Sequence, residues 1–417
     1  MVWFFLHEHQ TTMPAAIVSR FKSLPRLNML RTLTKVLPSR KPLVLLGEGS
    51  AVRLCHSMAD QGFQRVLIVT DEILRSLGTV DPMVEAFKAR GITCSVFDGV
   101  KPDPTFAVVD AGLAALRQLR GDAILVVGGG SAIDAGKVIS LSAASGKTPL
   151  ELVGVFKARQ PGLPLFVVPS TSGTGSEVSV AAVISDSVTH VKSLVADPGV
   201  VPVAAALDPL VTRGMPPSVT AETGIDALTH ALEGWMSVFA DEQTDQYNRA
   251  AVRMILANLE TACTEPGNLA ARDAMALASH YAGLSLSTTF VGYVHAIAHQ
   301  LGGRYGIPHG RANAMVLPHV LAFNLPSCAD RFARLARELG LTAPGAPDAA
   351  AAQALLNRIN DLLASVPVRR GGQQLKPEDF PGIIEDALKE AHGTYPVPRY
   401  MNEADVEQIL RQIRAVT

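Results

Sequence analysis

Cysteine is scarce and carries no pattern. Cys55, Cys94, Cys263 and Cys328 are scattered and form no C-x-x-C pair. That excludes a disulfide framework or a thiolate zinc knuckle and points to free, buried thiols in a reducing, cytoplasmic setting. Net charge is scarce too. The 37 basic and 38 acidic residues leave a formal charge of −1, which offers no electrostatic footprint for nucleic acid. No run of about 18 apolar residues exists, so no membrane span is expected. The ordinary dinucleotide fingerprint G-x-G-x-x-G is also missing. What remains is a chain of 417 residues, 48% apolar and 18% charged. That suits a well-buried globular protein of two or three domains and excludes a disordered or fibrous one.

Residues 1–41 differ from the rest. Seven basic residues face a single acid, Glu8. The apolar run at 2–6 is too short for a signal-peptide core. The stretch reads as a basic extension packed on the domain or on a partner subunit, with a targeting peptide or membrane-surface helix as the alternative.

From residue 42 to 212, short apolar runs alternate with helical patterns. Residues 43–46, 66–70, 93–97, 123–127 and 165–169 read as strands. Residues 50–61, 81–90, 105–119 and 132–144 read as helices. Strands apolar on both faces, alternating with helices, predict a parallel sheet covered on both sides, an α/β Rossmann-like domain. Ligands of such sheets lie beyond the carboxyl ends of the strands. There the chain places Gly128-Gly129-Gly130-Ser131, directly after a strand and before a helix. Glycines admit a phosphate close to the backbone, and the helix start offers free N–H groups. Ser131 is the expected helix cap, with Asp134 completing a capping pair. Asp71 ends the strand at 66–70 and suits either a ribose diol or a helix cap. A second loop, residues 169–177, sets Thr171, Thr174 and Ser176 among glycines, suited to phosphate or nicotinamide-side groups. Residues 178–184 and 191–195 read as a hairpin, and its Lys192 is either a cofactor contact or a solvated lysine.

Beyond Asp208-Pro209 no strand is evident. Helices are expected at 218–239, 244–261, 269–287, 294–304, 311–323, 329–339, 349–364, 377–391 and 403–416, punctuated by proline and glycine. Residues 213–417 therefore form an all-helical second domain, with the active site in the cleft between the two. Six of the eleven histidines lie between His230 and His319. Asp226 and His230 are four apart, as are His295 and His299, so each pair shares a helix face. His309, between Pro308 and Gly310, can aim its ring inward from a helix start. One carboxylate and three imidazoles suit Fe(II), Zn(II), Mn(II) or Ni(II) and leave room for a substrate oxygen. His56, His190, His280, His319 and His392 read as buried, hydrogen-bonded core residues. Phe156, Phe290 and Tyr293 are consistent with an alkyl-chain pocket and equally with core packing.

Taken together, these motifs carry a resemblance. G-G-G-S-x-x-D at 128–134, P-x-T-x-G-T-G-S-E at 169–177, Asp208-Pro209, T-G-x-D-A-L-T-H-A at 223–231, H-A-x-A-H at 295–299 and P-H-G-x-x-N-A at 308–314 stand in one order. The chain resembles the iron-containing (group III) alcohol dehydrogenases, of the dehydroquinate-synthase-like fold, from about residue 43 to the C-terminus. The resemblance implies that Asp226, His230, His295 and His309 bind the metal and that His299 moves a proton. It places NAD on Asp71, Asp103 (within Lys101–Thr105), Gly128, Gly129, Gly130, Ser131, Asp134, Thr171, Thr174, Ser176 and Lys192. NAD is expected over NADP because Asp71 would repel a 2′-phosphate. Two positions depart from the pattern: Ser170 stands for the usual threonine, and Val397-Pro398-Arg399 for Asn-Pro-Arg.

The expected activity is reversible hydride transfer between a primary alcohol and its aldehyde, with one divalent metal, Fe2+ first and Zn2+ second, as Lewis acid. A homodimer is expected. The rival readings are a zinc polyol dehydrogenase, a dehydroquinate-synthase-like lyase and a protein whose metal only braces helices. The lyase would need many basic groups to hold a phosphorylated substrate, and the region from Asp226 to His309 has few.

Overall fold

The computed structural model describes residues 27–29, 31–32, 40–187 and 192–416. Most of the basic extension, including its targeting-peptide reading, and His190 lie outside the described residues. No helix among those described is long and apolar enough to cross a membrane.

The first half alternates as its apolar runs predict. In chain order it comprises β1 (Leu43–Leu46), α1 (Ser50–Asp60), β2 (Arg65–Asp71), α2 (Glu72–Ser76), α3 (Asp81–Ala89), β3 (Thr93–Val100), α4 (Phe106–Leu119), β4 (Ala123–Gly128) and α5 (Gly130–Ser145). There follow β5 (Gly154–Val155), β6 (Leu165–Pro169), β7 (Ala181–Ser185), β8 (Lys192–Ala196) and β9 (Ala204–Leu207). Six strands form one parallel sheet in the order β1-β9-β6-β4-β2-β3. Alternate residues supply its two faces. Leu67, Val69, Ile124, Val126 and Val167 pack with Val109, Ile133 and Ile139 of α4 and α5. Val66, Ile68, Leu125, Phe166 and Val168 pack with Leu54, Met58 and Phe87 of α1 and α3. The small sheet β5-β8-β7 contains the expected hairpin, with β7 and β8 antiparallel.

The second half is helical: α6 (Pro209–Thr212), α7 (Pro217–Met236), α8 (Glu242–Thr264), α9 (Leu269–Thr289), α10 (Tyr293–Tyr305), α11 (His309–Glu338), α12 (Asp348–Ser365), α13 (Phe380–Ala391) and α14 (Glu403–Ala415). The central one is α7. It is buried on every side from Gly224 to Met236 and packs against α8, α9 and α11. A helix apolar all round has no solvent face, so a polar side chain on it must find partners inside.

Several expectations need correction. β9 was not anticipated: Ala-Ala-Ala-Leu carries no strand propensity, and pairing with β1 and β6 on its two sides imposes the extended form. The two helices expected at 311–323 and 329–339 are one, α11, which runs through Pro318 and Pro326. Each proline removes one backbone hydrogen bond, and packing along α7 and α12 holds the helix together across both. Ser131 does not cap α5. The helix begins at Gly130, with Gly129 in the cap position and no side-chain cap. Its first-turn N–H groups therefore stay open. Asp134 is half-buried and instead accepts the Val183 N–H at 2.9 Å. His56 is half-buried on the flank of α1, and its Nδ1 has no hydrogen-bond partner. All four cysteines are free, and Cys94 is half-buried rather than buried.

The two halves meet through glycines. A Cβ on Gly175 would lie 2.6 Å from Gly283 Cα and one on Gly173 2.8 Å from Thr223 Cβ; within the helical half, one on Gly310 would lie 2.2 Å from the Glu222 carbonyl oxygen. Gly175 also has φ +60°, which a side chain disfavours. Gly175→Ala is expected to cost about 1–3 kcal/mol and to lower the midpoint of thermal unfolding. An unchanged midpoint would contradict this packing.

Candidate metal centre

α7 carries Asp226 and His230 one turn apart on an inward face, both buried. α10 supplies His295, and the first residue of α11 is His309. Asp226 Oδ1 is 3.8 Å from His230 Nε2, 3.6 Å from His295 Nε2 and 3.3 Å from His309 Nε2. Donors around a tetrahedral ion with bonds of about 2.1 Å stand about 3.4 Å apart. The residues present thus match the edges of a coordination shell. Asp226, His230 and His295 form the compact buried group, while the His309 side chain is 40% exposed.

Two of the rings are turned by a contact on the far side. His230 Nδ1 faces the Gly173 carbonyl oxygen at 3.3 Å, and His295 Nδ1–H donates to Glu233 Oε2 at 2.6 Å. Both contacts leave Nε2 toward Asp226. Asn313 donates from Nδ2 to Asp226 Oδ1 at 2.8 Å and lies 3.3 Å from Nε2 of both His295 and His309. Burial pushes the pKa of His230 down to about 4 against the pull of Asp226, so this ring is neutral at pH 7. Burial also opposes the charge on Asp226, but His230, His309 and the imidazole hydrogen bonds outweigh it and hold the carboxyl well below the usual range.

His299 stands at the rim. Its ring stacks on His309 with centroids 5.4 Å apart. Its Nδ1–H donates to Glu390 Oε1 at 2.7 Å. Glu390 also accepts from Tyr395 Oη at 2.6 Å and Gln300 Nε2 at 3.0 Å. Burial lowers the pKa of His299 in spite of this carboxylate.

The cofactor candidates fall into three groups. Gly128, Gly129, Gly130 and Ser131 form the turn from β4 into α5. The 169–177 loop lies against it: a Cβ on Gly129 would meet Thr171 at 3.2 Å, and one on Gly130 would meet Thr174 at 2.8 Å. Ser176 is buried within that loop. Asp134 is half-buried, and desolvation of its carboxyl pushes the pKa up to about 6 against nearby Lys137. Asp103 and Lys192 pair with each other at 2.9 Å on the surface. Asp71 ends β2 and accepts the Leu74 N–H at 2.9 Å, so it does cap α2. Tyr293 is core, its hydroxyl held by His392 and the Met401 N–H. His280 also behaves as expected, bonded to buried Glu177 at 3.1 Å.

Sequence reasoning missed three residues. Glu233 is seven residues after Asp226, on the same face of α7, and extending the helical spacing one more turn would have found it. Asn313 sat inside a quoted motif with no role. Glu390 is 91 residues from His299, and no local signal joins them.

Comparison with known proteins agrees with this geometry. The family model described as "Iron-containing alcohol dehydrogenase" matches residues 42–209, and "Fe-containing alcohol dehydrogenase family, C-terminal" matches 220–414. The chain is 38% identical over 355 residues to the 1,3-propanediol dehydrogenase of Klebsiella pneumoniae, covering 84% of this chain and 92% of the other. It is 34% identical to the NAD-dependent methanol dehydrogenase of Bacillus methanolicus, covering 89% and 97%. A crystal structure of 1,3-propanediol oxidoreductase superposes with a TM-score of 0.86 at 36% identity, covering 91% of this chain and all of that one. The chain belongs to the iron-containing alcohol dehydrogenase family. It is an alcohol dehydrogenase of the iron-containing type, an oxidoreductase of CH–OH groups, and the buried Asp226, His230 and His295 could hold the metal.

Removal of the metal with a chelator is therefore expected to abolish NADH formation from an alcohol, and readdition of a divalent ion to restore it. Full turnover by protein with no detectable metal would contradict the assignment.

Proposed function

We propose that the chain is an Fe2+-dependent, NAD-linked dehydrogenase that transfers hydride reversibly between a primary alcohol and its aldehyde, with Asp226, His230, His295 and His309 as metal ligands. One observation carries this reading: the loop at 169–177 touches both the glycine turn and a candidate metal ligand. Thr171 and Thr174 back the glycine turn, and the Gly173 carbonyl backs the ring of His230. A dinucleotide held at the open start of α5 thus lies one loop away from the metal ligands. The reaction belongs in the cleft between an α/β domain, residues 42–212, and a helical domain, residues 213–417.

A divalent ion held by these donors supplies Lewis acidity toward a substrate oxygen, and the nicotinamide supplies the hydride acceptor. The chain does the rest. The first-turn N–H groups of α5, unclaimed by any side chain, suit a pyrophosphate. Asp71, at the end of β2, suits a ribose hydroxyl and disfavours a 2′-phosphate. Asp103 and Lys192 flank the same cofactor from the surface, and Ser131, Asp134 and Ser176 hold the loops that cradle it. His299, with its Nδ1 proton committed to Glu390, presents Nε2 to take the proton lost by the alcohol. A cytoplasmic location and a homodimer complete the reading, supported by the free thiols and by the basic extension's fitness to pack on a partner.

His230→Ala is expected to lose both bound metal and turnover. Elemental analysis paired with NADH formation on a panel of short alcohols checks this, and retention of both would refute the ligand set. His299→Asn is expected to keep its metal and to lose about 100-fold or more in kcat. Metal content beside steady-state kinetics decides: an unchanged kcat would remove His299 from the proton path.

A further inference from the structure

Glu233 has a role that the ligand set alone does not give it. It lies three residues beyond His230 on α7, and its carboxylate is buried, at 4% exposure. Burying a carboxylate is costly unless hydrogen bonds answer it. Glu233 receives three, all from the start of α10. The Gly292 N–H donates to Oε2 at 2.9 Å, the Val294 N–H to Oε1 at 2.7 Å, and His295 Nδ1–H to Oε2 at 2.6 Å. The first two serve the helix. Gly292 is the cap residue of α10 and offers no side chain, so a carboxylate from α7 takes the place of the cap. The third serves no helix end. It fixes which nitrogen of His295 carries the proton and which faces Asp226.

The three imidazoles are not treated alike. His230 is backed by a neutral carbonyl at 3.3 Å. His309 is part-exposed. His295 alone is backed by a buried carboxylate at charge-assisted distance. Gly292 preserves that contact, because a Cβ there would stand 2.8 Å from Glu233 Oε1.

We infer that Glu233 is a positioning residue for the metal: it orients His295, holds its Nε2 bare and strengthens it as a donor, and so sets how tightly the site holds a divalent ion. This rests on the assignment of His295 as a ligand. A carboxylate behind an imidazole raises its basicity, and loss of such a partner typically weakens metal binding about 10–100-fold.

The test is the apparent Kd for Zn2+, measured by chelator competition in the full-length protein, for the wild type, Glu233→Gln, Gly292→Ala and His295→Ala. Glu233→Gln is expected to raise the Kd about 10–100-fold, while the KM for NAD is unchanged. Gly292→Ala keeps the charge but displaces the carboxylate, and is expected to raise the Kd in the same direction. A Kd within about twofold of wild type in both variants, with only the melting temperature lowered, would make Glu233 a helix brace and overturn the inference. If Glu233→Gln does not fold, Gly292→Ala decides alone. His295→Ala separates the two levels: metal retained there refutes the ligand set, whereas metal lost there but kept in the other variants refutes only the role of Glu233.

Discussion

Asp226 is the constraint on which the rest of the site depends. It is a carboxylate on the most buried helix of the molecule, and the Nε2 atoms of three imidazoles point toward it from 3.3 to 3.8 Å. Nitrogen and oxygen lone pairs crowded in this way repel one another unless a cation or shared protons lie among them. Asn313 relieves part of that cost with one N–H. The remainder is the driving force for metal binding. It is available because the apolar surroundings of α7 exclude water, which would otherwise screen the donors.

Holding those donors in place takes both halves of the chain. The helical half supplies all four candidate ligands, but the α/β half supplies the Gly173 carbonyl that turns one of the rings. That carbonyl reaches the ring because Gly173 and Gly175 let the two halves approach where any side chain would collide. The same loop stands against the glycine turn after β4. The candidate cofactor site and the candidate metal site thus share one continuous set of contacts, in which the loop meets both the glycine turn and His230. Dehydrogenation requires that closeness, since hydride passes only between atoms held in near contact.

Much of this was legible in the amino-acid sequence. Strands buried on both faces announced themselves as unbroken apolar runs. Helical spacing placed Asp226 with His230, and His295 with His299. What escaped was whatever depends on tertiary context. Ala204–Leu207 is a strand because of its neighbours, not its composition. Pro326 reads as a helix breaker, yet α11 continues because its flanks are packed. Ser131 looked like a cap and is instead a first-turn residue, two positions past the cap residue Gly129. Glu390 reaches His299 from a helix near the far end of the chain, a contact that only the fold creates. Glu233 was within reach of the periodicity, one turn beyond His230, but the spacing alone does not show that its carboxylate is buried.

X-ray absorption at the metal edge of the iron-loaded protein tests the central claim most directly. The account predicts a shell of nitrogen and oxygen donors at about 2.0–2.2 Å, with the multiple-scattering signature of three imidazoles and no sulfur. A sulfur distance near 2.3 Å, or a shell with one imidazole or none, would contradict it.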